Sequence, residues 1–149
     1  MIHSFLIINK SGKIRLRRFY DGSTLEQQTE RVQKISKLIS SRPSNAGNII
    51  DGDFGFDEKV TLVYRSYATL LFIVAIDAAE SALATIDLIH VFVRALDQCF
   101  EKVCELDLVY SYEKVMFLLD ECIQGGIILE PTTDGIVERH NEMKLKPAK

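Results

Sequence analysis

The sequence predicts an α+β domain in which helices cover an antiparallel sheet. The first observation is a pair of strand hairpins, at residues 2–20 and 59–76, in place of the strand–helix–strand units that build parallel sheets. The second is the series of helical segments that follows the second hairpin. The third is the length of 149 residues, which suits one ordinary domain. We expect a single domain over residues 1–142 and a disordered basic tail over residues 143–149.

The composition is that of a folded domain without nucleic-acid-binding or membrane-spanning features. Apolar residues make up 47% of the chain and charged residues 26%, and the net charge of −3 gives no reason to expect nucleic acid. The longest apolar run, Leu70–Ile76, is far shorter than the roughly 20 residues that span a bilayer. The three cysteines show no paired spacing and the N-terminus shows no signal-peptide pattern, so we expect a cytoplasmic protein.

The first part of the chain reads as a hairpin followed by a helix. Ile2–Ile8 and Ile14–Tyr20 are rich in β-forming residues, and a cluster of turn residues separates them. Ser23 and Glu26 have the spacing of a capping box, which predicts that a helix begins there. Pro43 disfavours helical geometry in the residue before it, so we expect the helix to stop at that point.

A polar loop and a second hairpin follow. Residues 43–58 are rich in glycine, serine and aspartate and read as a loop, although it contains apolar residues that could pack. Lys59–Tyr67 alternates between apolar and polar positions, and Ala68–Ile76 is continuously apolar, as in a strand covered on both faces. We predict that these two strands form a hairpin through Arg65–Tyr67.

The remaining segments are mainly helical. Ser81–Val103 is apolar around so much of its circumference that we expect burial on more than one side, and one small domain does not obviously supply the second side. Cys104–Tyr110 alternates like a strand or an extended connection. A helix is predicted over Ser111–Gln124, with Gly125–Gly126 as its C-cap signal, and a short helix over Asp134–Glu142.

Basic residues are concentrated at the start of the chain. Residues 1–20 contain five lysines and arginines and no acidic residue, although the whole chain has a net charge of −3. Arg15 and Arg17 alternate along the second strand, so we expect them to share one face. They could form a recognition patch for an acidic peptide or phosphate, or simply protect a solvated edge strand.

The second candidate site is Val103–Leu108, in which apolar and acidic residues alternate directly after the long helix. This segment could form a groove for two side chains of a peptide, or it could be the end of a core strand. The acidic residues of the loop over residues 51–58 have no nucleophile or base spaced to assist them, and no glycine-rich phosphate loop follows a strand. The histidines lie in unrelated segments. We therefore predict no enzymatic activity, cofactor or metal site.

Three stretches resemble the sigma (small) subunits of adaptor-protein complexes. They are Met1–Tyr20, Val63–Leu70 and Phe100–Leu108, and they occur in the same order as in that family. The resemblance covers residues 1–138 and implies a longin-like (SNARE-like) fold, with a five-stranded antiparallel sheet flanked by helices. The fifth strand would then lie in Leu106–Tyr110. Within the family, the amino-acid sequence of residues 86–101 most resembles that of the small subunit of the third adaptor complex.

The resemblance implies a function in vesicle-mediated protein transport. Such subunits lie in a heterotetramer against a large subunit, here of the delta type, together with a beta and a mu subunit. They help to bind dileucine sorting signals, acidic-x-x-x-Leu-Leu or Leu-Ile, in membrane cargo that moves from the Golgi or endosome to the lysosome or vacuole. The complex is cytoplasmic and peripheral on Golgi, endosomal and vesicle membranes. Alternatives are a sigma subunit of a clathrin-associated adaptor at the Golgi or plasma membrane, the small coatomer subunit, a longin SNARE domain or an enzyme.

The resemblance also implies which residues contact the signal. Arg15, with Arg17 nearby, matches the basic residue that meets the acidic side chain of the signal. Lys102 lies at the pocket where the family usually has asparagine. The positions that match the pocket for the two leucines are Ala68, Leu70, Val93, Lys102, Val103, Leu106 and Leu108.

Overall fold

A five-stranded antiparallel sheet forms the centre of the computed structural model, which describes residues 1–43, 47–129, 135, 137, 138 and 141. Across the sheet the strand order is 2-1-5-4-3, so each hairpin in the sequence is a pair of neighbours. The predicted α+β class and five-stranded sheet are confirmed. In chain order the strands are β1 (Ile2–Asn9), β2 (Ile14–Phe19), β3 (Ile49–Gly52), β4 (Val60–Tyr67) and β5 (Leu70–Ile76).

Helices cover both faces of the sheet. The first helix lies on one face, and the next three helices with described bounds pack with the opposite face around a larger apolar core. Adjacent strand residues face opposite cores, since Leu62 belongs to the smaller cluster and Val63 to the larger one. The helices are α1 (Leu25–Ser41), α2 (Ala82–Phe100), α3 (Glu105–Tyr110) and α4 (Tyr112–Cys122), followed by a small hairpin of β6 (Ile123–Gln124) and β7 (Ile127–Ile128).

The long helix α2 is buried on two sides, and the chain itself supplies both. Phe92 packs edge-on against Phe5 and Phe72 of the sheet, with ring centroids 5.3 and 6.3 Å apart. Residues of α4, including Val115 and Leu118, complete the same core from the other side. The prediction of two buried sides is therefore confirmed, with the sheet on one side and α4 on the other.

The fifth strand is β3, so its predicted position in Leu106–Tyr110 is wrong. β3 lies within the stretch predicted to be a loop, and Ile50 is buried there through its pairing with Leu62 of β4. Residues 105–110 instead form α3. The backbone N–H of Cys104 donates to the carboxylate of Asp107 at 2.9 Å, and an acidic residue in a first turn also suits the helix dipole.

Two boundaries near the hairpins differ from the predictions. The capping box at the start of α1 is formed by Thr24 and Gln27, one residue later than Ser23 and Glu26, because the Thr24 hydroxyl is the group that reaches the N3 amide. Arg65–Tyr67 is not a turn but the end of β4, and it pairs with β5. The chain reverses at the two residues after Tyr67.

The two glycines after α4 have a different role from the predicted C-cap. Gly125 and Gly126 have φ values of 56° and 84° and form the two-residue turn between β6 and β7. Of the helix predicted over residues 134–142, the described residues 135, 137, 138 and 141 are helical. The rest of that segment and the predicted tail over residues 143–149 lie outside the described residues.

Candidate functional site

A bulge in β2 determines where Arg15 points. In the register of β1 with β2, Ile7 pairs with Leu16 and Ile8 pairs with Ile14, so Arg15 has no opposite residue. An extra residue of this kind interrupts the alternation of side chains along a strand. The Arg15 side chain consequently reaches the first turn of α3, on the face that carries the larger core.

The bulge also separates the two arginines that the sequence placed together. Arg17 pairs with Leu6, whose side chain belongs to the smaller core under α1. Arg15 contacts α3 on the other face, where its Nε donates to Glu105 Oε1 at 2.5 Å. The prediction that Arg15 and Arg17 share a face is therefore wrong, because strict alternation does not hold through a bulge.

Glu105 holds the Arg15 side chain in this position. Its Oε1 also accepts a hydrogen bond from Asn9 Nδ2 at 2.8 Å. The Arg15 guanidinium, followed by the Asn9 amide, lowers the pKa of Glu105 below its ordinary value. An acidic residue of a bound peptide would have to share or replace this internal carboxylate.

Four of the predicted pocket residues lie in one apolar cluster, and three lie around it. Leu70, Val93, Val103 and Leu108 are all buried members of the larger core. Leu106 is 61% exposed on the outer side of α3, and Ala68 and Lys102 are also exposed. The structure therefore places four of the predicted residues in the larger core, here called the apolar base, and leaves the other three exposed, here called the rim.

A small cavity lies beside Ala68 and Leu70. It has a volume of about 150 Å³ and lies between the β1–β2 turn, the end of α1 and the β4–β5 turn, with Asn9, Ile39, Ala68 and Leu70 in its wall. Ala68 and Leu70 are the predicted pocket residues in its lining, and Ile8, Ile39 and Leu71 of the smaller core form the rest of its apolar wall. The cavity therefore does not coincide with the predicted leucine pocket.

Backbone strain is concentrated at the rim. Among the described residues other than glycine, Ala68, Glu101 and Lys102 are the three with positive φ, at 54°, 53° and 82°. The left-handed region is costly for most side chains, and asparagine tolerates it better than lysine. This gives a physical reason why asparagine suits position 102, where this chain has lysine.

The structure also brings together a group that the sequence did not reveal. His3 Nε2 lies 2.8 Å from Glu58 Oε1 and 4.0 Å from Asp77 Oδ2, and these three side chains come from distant segments. Asp77 also accepts a hydrogen bond from the N-terminal ammonium group at 2.8 Å, so its negative charge is paired within the chain. This cluster lies outside the predicted peptide site, and spacing along the chain gave no signal for it.

Comparison with known proteins identifies the family. The family model for the clathrin adaptor complex small chain matches residues 1–146. The chain belongs to this family. Its members are subunits of adaptor coats rather than enzymes, so membership gives this adaptor small chain a role in vesicle transport.

Similar proteins place the adaptor small chain close to one type of complex. The AP-3 complex subunit sigma of Dictyostelium discoideum is 43% identical over 149 residues, covering 98% of this chain and 86% of the relative. The corresponding Arabidopsis thaliana protein is 40% identical, with 99% and 90% coverage. The human AP-3 complex subunit sigma-2 is 44% identical, with 92% and 72% coverage. The predicted resemblance to the small subunit of the third adaptor complex is therefore confirmed.

The adaptor small chain also resembles a subunit of a complete assembly. A chain in a homology model of the full-length AP-3 complex in a stretched open conformation has a TM-score of 0.74 and 34% identity, with 97% of this chain and 94% of that chain covered. The match supports the predicted longin-like fold. Within the described residues, no helix of the adaptor small chain is both long and apolar enough to cross a bilayer.

Proposed function

We propose that this chain is the sigma subunit of an AP-3-type heterotetramer, bound to a delta-type large subunit beside a beta and a mu subunit. The similarity to AP-3 sigma subunits over almost the whole chain supports this assignment. The similarity to a chain within a homology model of the full-length AP-3 complex also supports it. In this role the chain is cytoplasmic and peripheral on Golgi, endosomal and vesicle membranes, and it acts in transport toward the lysosome or vacuole.

Within that complex the chain binds dileucine sorting signals of membrane cargo. The observation that carries this proposal is the bulge that points Arg15 toward α3, whose Leu106 is exposed and whose Leu108 is buried in the apolar core. A guanidinium near an apolar base suits an acidic residue followed a few positions later by two leucines. Arg17 lies on the opposite face, so we assign the acidic contact to Arg15.

The expected affinity agrees with a reversible coat. Burying one leucine side chain contributes roughly 1.5–3 kcal/mol, and ordering the peptide offsets part of that gain. Two leucines with one exposed ion pair then give dissociation constants on the order of micromolar. Capture of cargo at a membrane would depend on several such contacts acting together, because linked sites bind far more tightly than either site alone.

The test compares two exposed leucines in the complex assembled with its large subunits. We expect Leu106→Ser to weaken binding of a Glu-x-x-x-Leu-Leu peptide about tenfold, because it removes an apolar contact. Leu25→Ser is the matched control, since Leu25 is 64% exposed at the start of α1, on the opposite face of the sheet from α3. Fluorescence anisotropy with a labelled peptide measures both, and a peptide with two alanines in place of the leucines gives the baseline. Equal affinities for the two variants would contradict the proposed site.

A further inference from the structure

We infer that Asp97 is a positioning residue that holds together two rims of the peptide site, an inference that rests on the proposed function. The first rim is the β4–β5 turn, which contains Ala68. The second is the segment between α2 and α3, in which exposed Lys102 leads directly to buried Val103 of the apolar base. The first rim leads in the same way to buried Leu70, so the relative position of the two rims determines the shape of the site.

The carboxylate of Asp97 bridges the two rims directly. Its Oδ1 accepts the backbone N–H of Val103 at 2.9 Å, and its Oδ2 accepts the hydroxyl of Tyr67 at 2.5 Å. Tyr67 is the last residue of β4, directly before Ala68. A tyrosine hydroxyl is protonated at neutral pH and can donate, and the hydrogen bond to Asp97 raises the pKa of Tyr67 further. A single side chain thus binds one group in each rim.

The backbone of Asp97 stabilises the strained part of the second rim. Its carbonyl oxygen accepts the backbone N–H of Glu101 and, at 3.3 Å, that of Lys102. These are two of the three non-glycine residues with positive φ in the described part of the chain, and the third is Ala68 in the other rim. Strained backbone persists where surrounding contacts over-determine it, and it is often found where a ligand binds.

The contact with Tyr67 distinguishes this arrangement from an ordinary helix end. A helix C-terminus requires partners only for its last carbonyl groups, whereas Asp97 also joins α2 to β4. A rim that is already fixed does not have to be ordered when a peptide binds. Loss of the bridge should therefore reduce the fraction of molecules that can bind, which lowers the association rate and leaves the dissociation rate of bound peptide nearly unchanged.

The experiment uses four variants of the chain in the assembled complex. We expect Asp97→Ala to weaken dileucine-peptide binding about tenfold and Tyr67→Phe about threefold, mainly through slower association. Asp97→Asn should stay within about twofold of the unmodified complex, because an amide can accept from Val103 and donate to Tyr67. Asp87→Ala, an exposed position on the same helix, is the matched control and should have no effect. Stopped-flow fluorescence separates the two rate constants.

Amide hydrogen exchange gives a readout that does not depend on the peptide. Asp97→Ala should raise exchange about tenfold in both rims at once, and adding Lys102→Asn should recover part of the lost affinity because asparagine needs less support at positive φ. If Asp97→Ala bound the peptide normally and showed unchanged hydrogen exchange, the inference about Asp97 would be overturned, whereas the proposed function would stand. An unmodified complex that binds no dileucine peptide would overturn the proposed function, and with it the binding role of Asp97, even if the rims loosened as expected.

Discussion

Arg15 and Glu105 form an ion pair whose main consequence is for binding rather than for stability. The two side chains are 21% and 27% exposed, and ion pairs this open to solvent contribute little to folding. The pair matters because the negative charge of Glu105 already binds the Arg15 guanidinium, which the acidic residue of a signal is proposed to contact. Bound peptide and internal carboxylate therefore compete for the same guanidinium.

This competition predicts the effect of Glu105→Gln. Removing the internal charge while keeping the side-chain shape should raise the affinity for a Glu-x-x-x-Leu-Leu peptide about threefold. The affinity for the same peptide with alanine in place of glutamate should not change, because that peptide does not use Arg15. Anisotropy titrations of both peptides against both complexes measure the difference, and an equal gain for the two peptides would contradict the competition.

The pH dependence follows from the direction of the pKa shift. In the folded chain the pKa of Glu105 lies below its ordinary value of 4.5, chiefly because of Arg15. The pair therefore contributes stability above that ordinary pKa and loses it as the pH falls through the folded pKa. Between about pH 6 and pH 8 the carboxylate stays ionised. The difference in affinity for the Glu-x-x-x-Leu-Leu peptide between Glu105→Gln and the unmodified complex should therefore be constant over that range.

At the scale of elements, the small β6–β7 hairpin packs in the larger core and is hydrogen-bonded to the central sheet at one of its glycines. The backbone N–H of Ile2 donates to the carbonyl oxygen of Gly126 at 2.7 Å. A Cβ atom added at Gly126 would lie 2.6 Å from the Ile2 carbonyl oxygen, whereas one added at Gly125 would have nothing within 4 Å. The two neighbouring glycines share a positive φ but differ in the space around them.

This difference predicts unequal costs for the same substitution. Gly125→Ala should destabilise the chain by about 1 kcal/mol through its left-handed backbone alone. Gly126→Ala should cost about 2–3 kcal/mol, because the backbone of β1 must also move. Thermal unfolding of the assembled complex ranks the two variants, and hydrogen exchange in residues 1–8 locates the change. A larger effect at Gly125 would show that the hairpin does not pack against β1 as described.

Sequence periodicity predicted the elements whose hydrogen bonds are local and whose burial is one-sided or complete. Both main hairpins and the long helix belong to this group. The alternation in residues 104–110 fitted a strand as well as a short helix, and the cap at Cys104 decides between them. β3 was missed because its four residues depend on pairing with β4 rather than on a pattern of their own.

The candidate site was predicted only in part, for a similar reason. The resemblance to a family supplied the apolar positions and Arg15, and the structure places four of those apolar positions in one buried core. The bulge at Arg15 and the hydrogen bond from Tyr67 to Asp97, which are 30 positions apart, depend on register and on long-range packing. Neither leaves a signal in local spacing, so Asp97 could not be assigned from the sequence.

At the scale of the whole molecule, both faces of the sheet are covered, yet large apolar side chains remain exposed. Val109, Tyr110 and Tyr112 lie together at the α3–α4 junction, where they are 46%, 82% and 42% exposed, and Leu83 is exposed on α2. Contiguous apolar surface of this kind marks contact sites or leads to aggregation. For a small chain of the adaptor family, contact with a large subunit would cover such surface.

This surface predicts how the chain behaves when it is produced alone and with partners. We expect the isolated chain to aggregate, and co-expression with a delta-type large subunit to give a soluble pair that co-purifies at a one-to-one ratio. A large subunit from a different adaptor complex, expressed in the same way, is the control for general rescue of solubility. Size-exclusion chromatography with light scattering gives the mass of each product. A stable monomer that binds neither large subunit would contradict the proposed assembly, because the exposed side chains would then be tolerated without a partner.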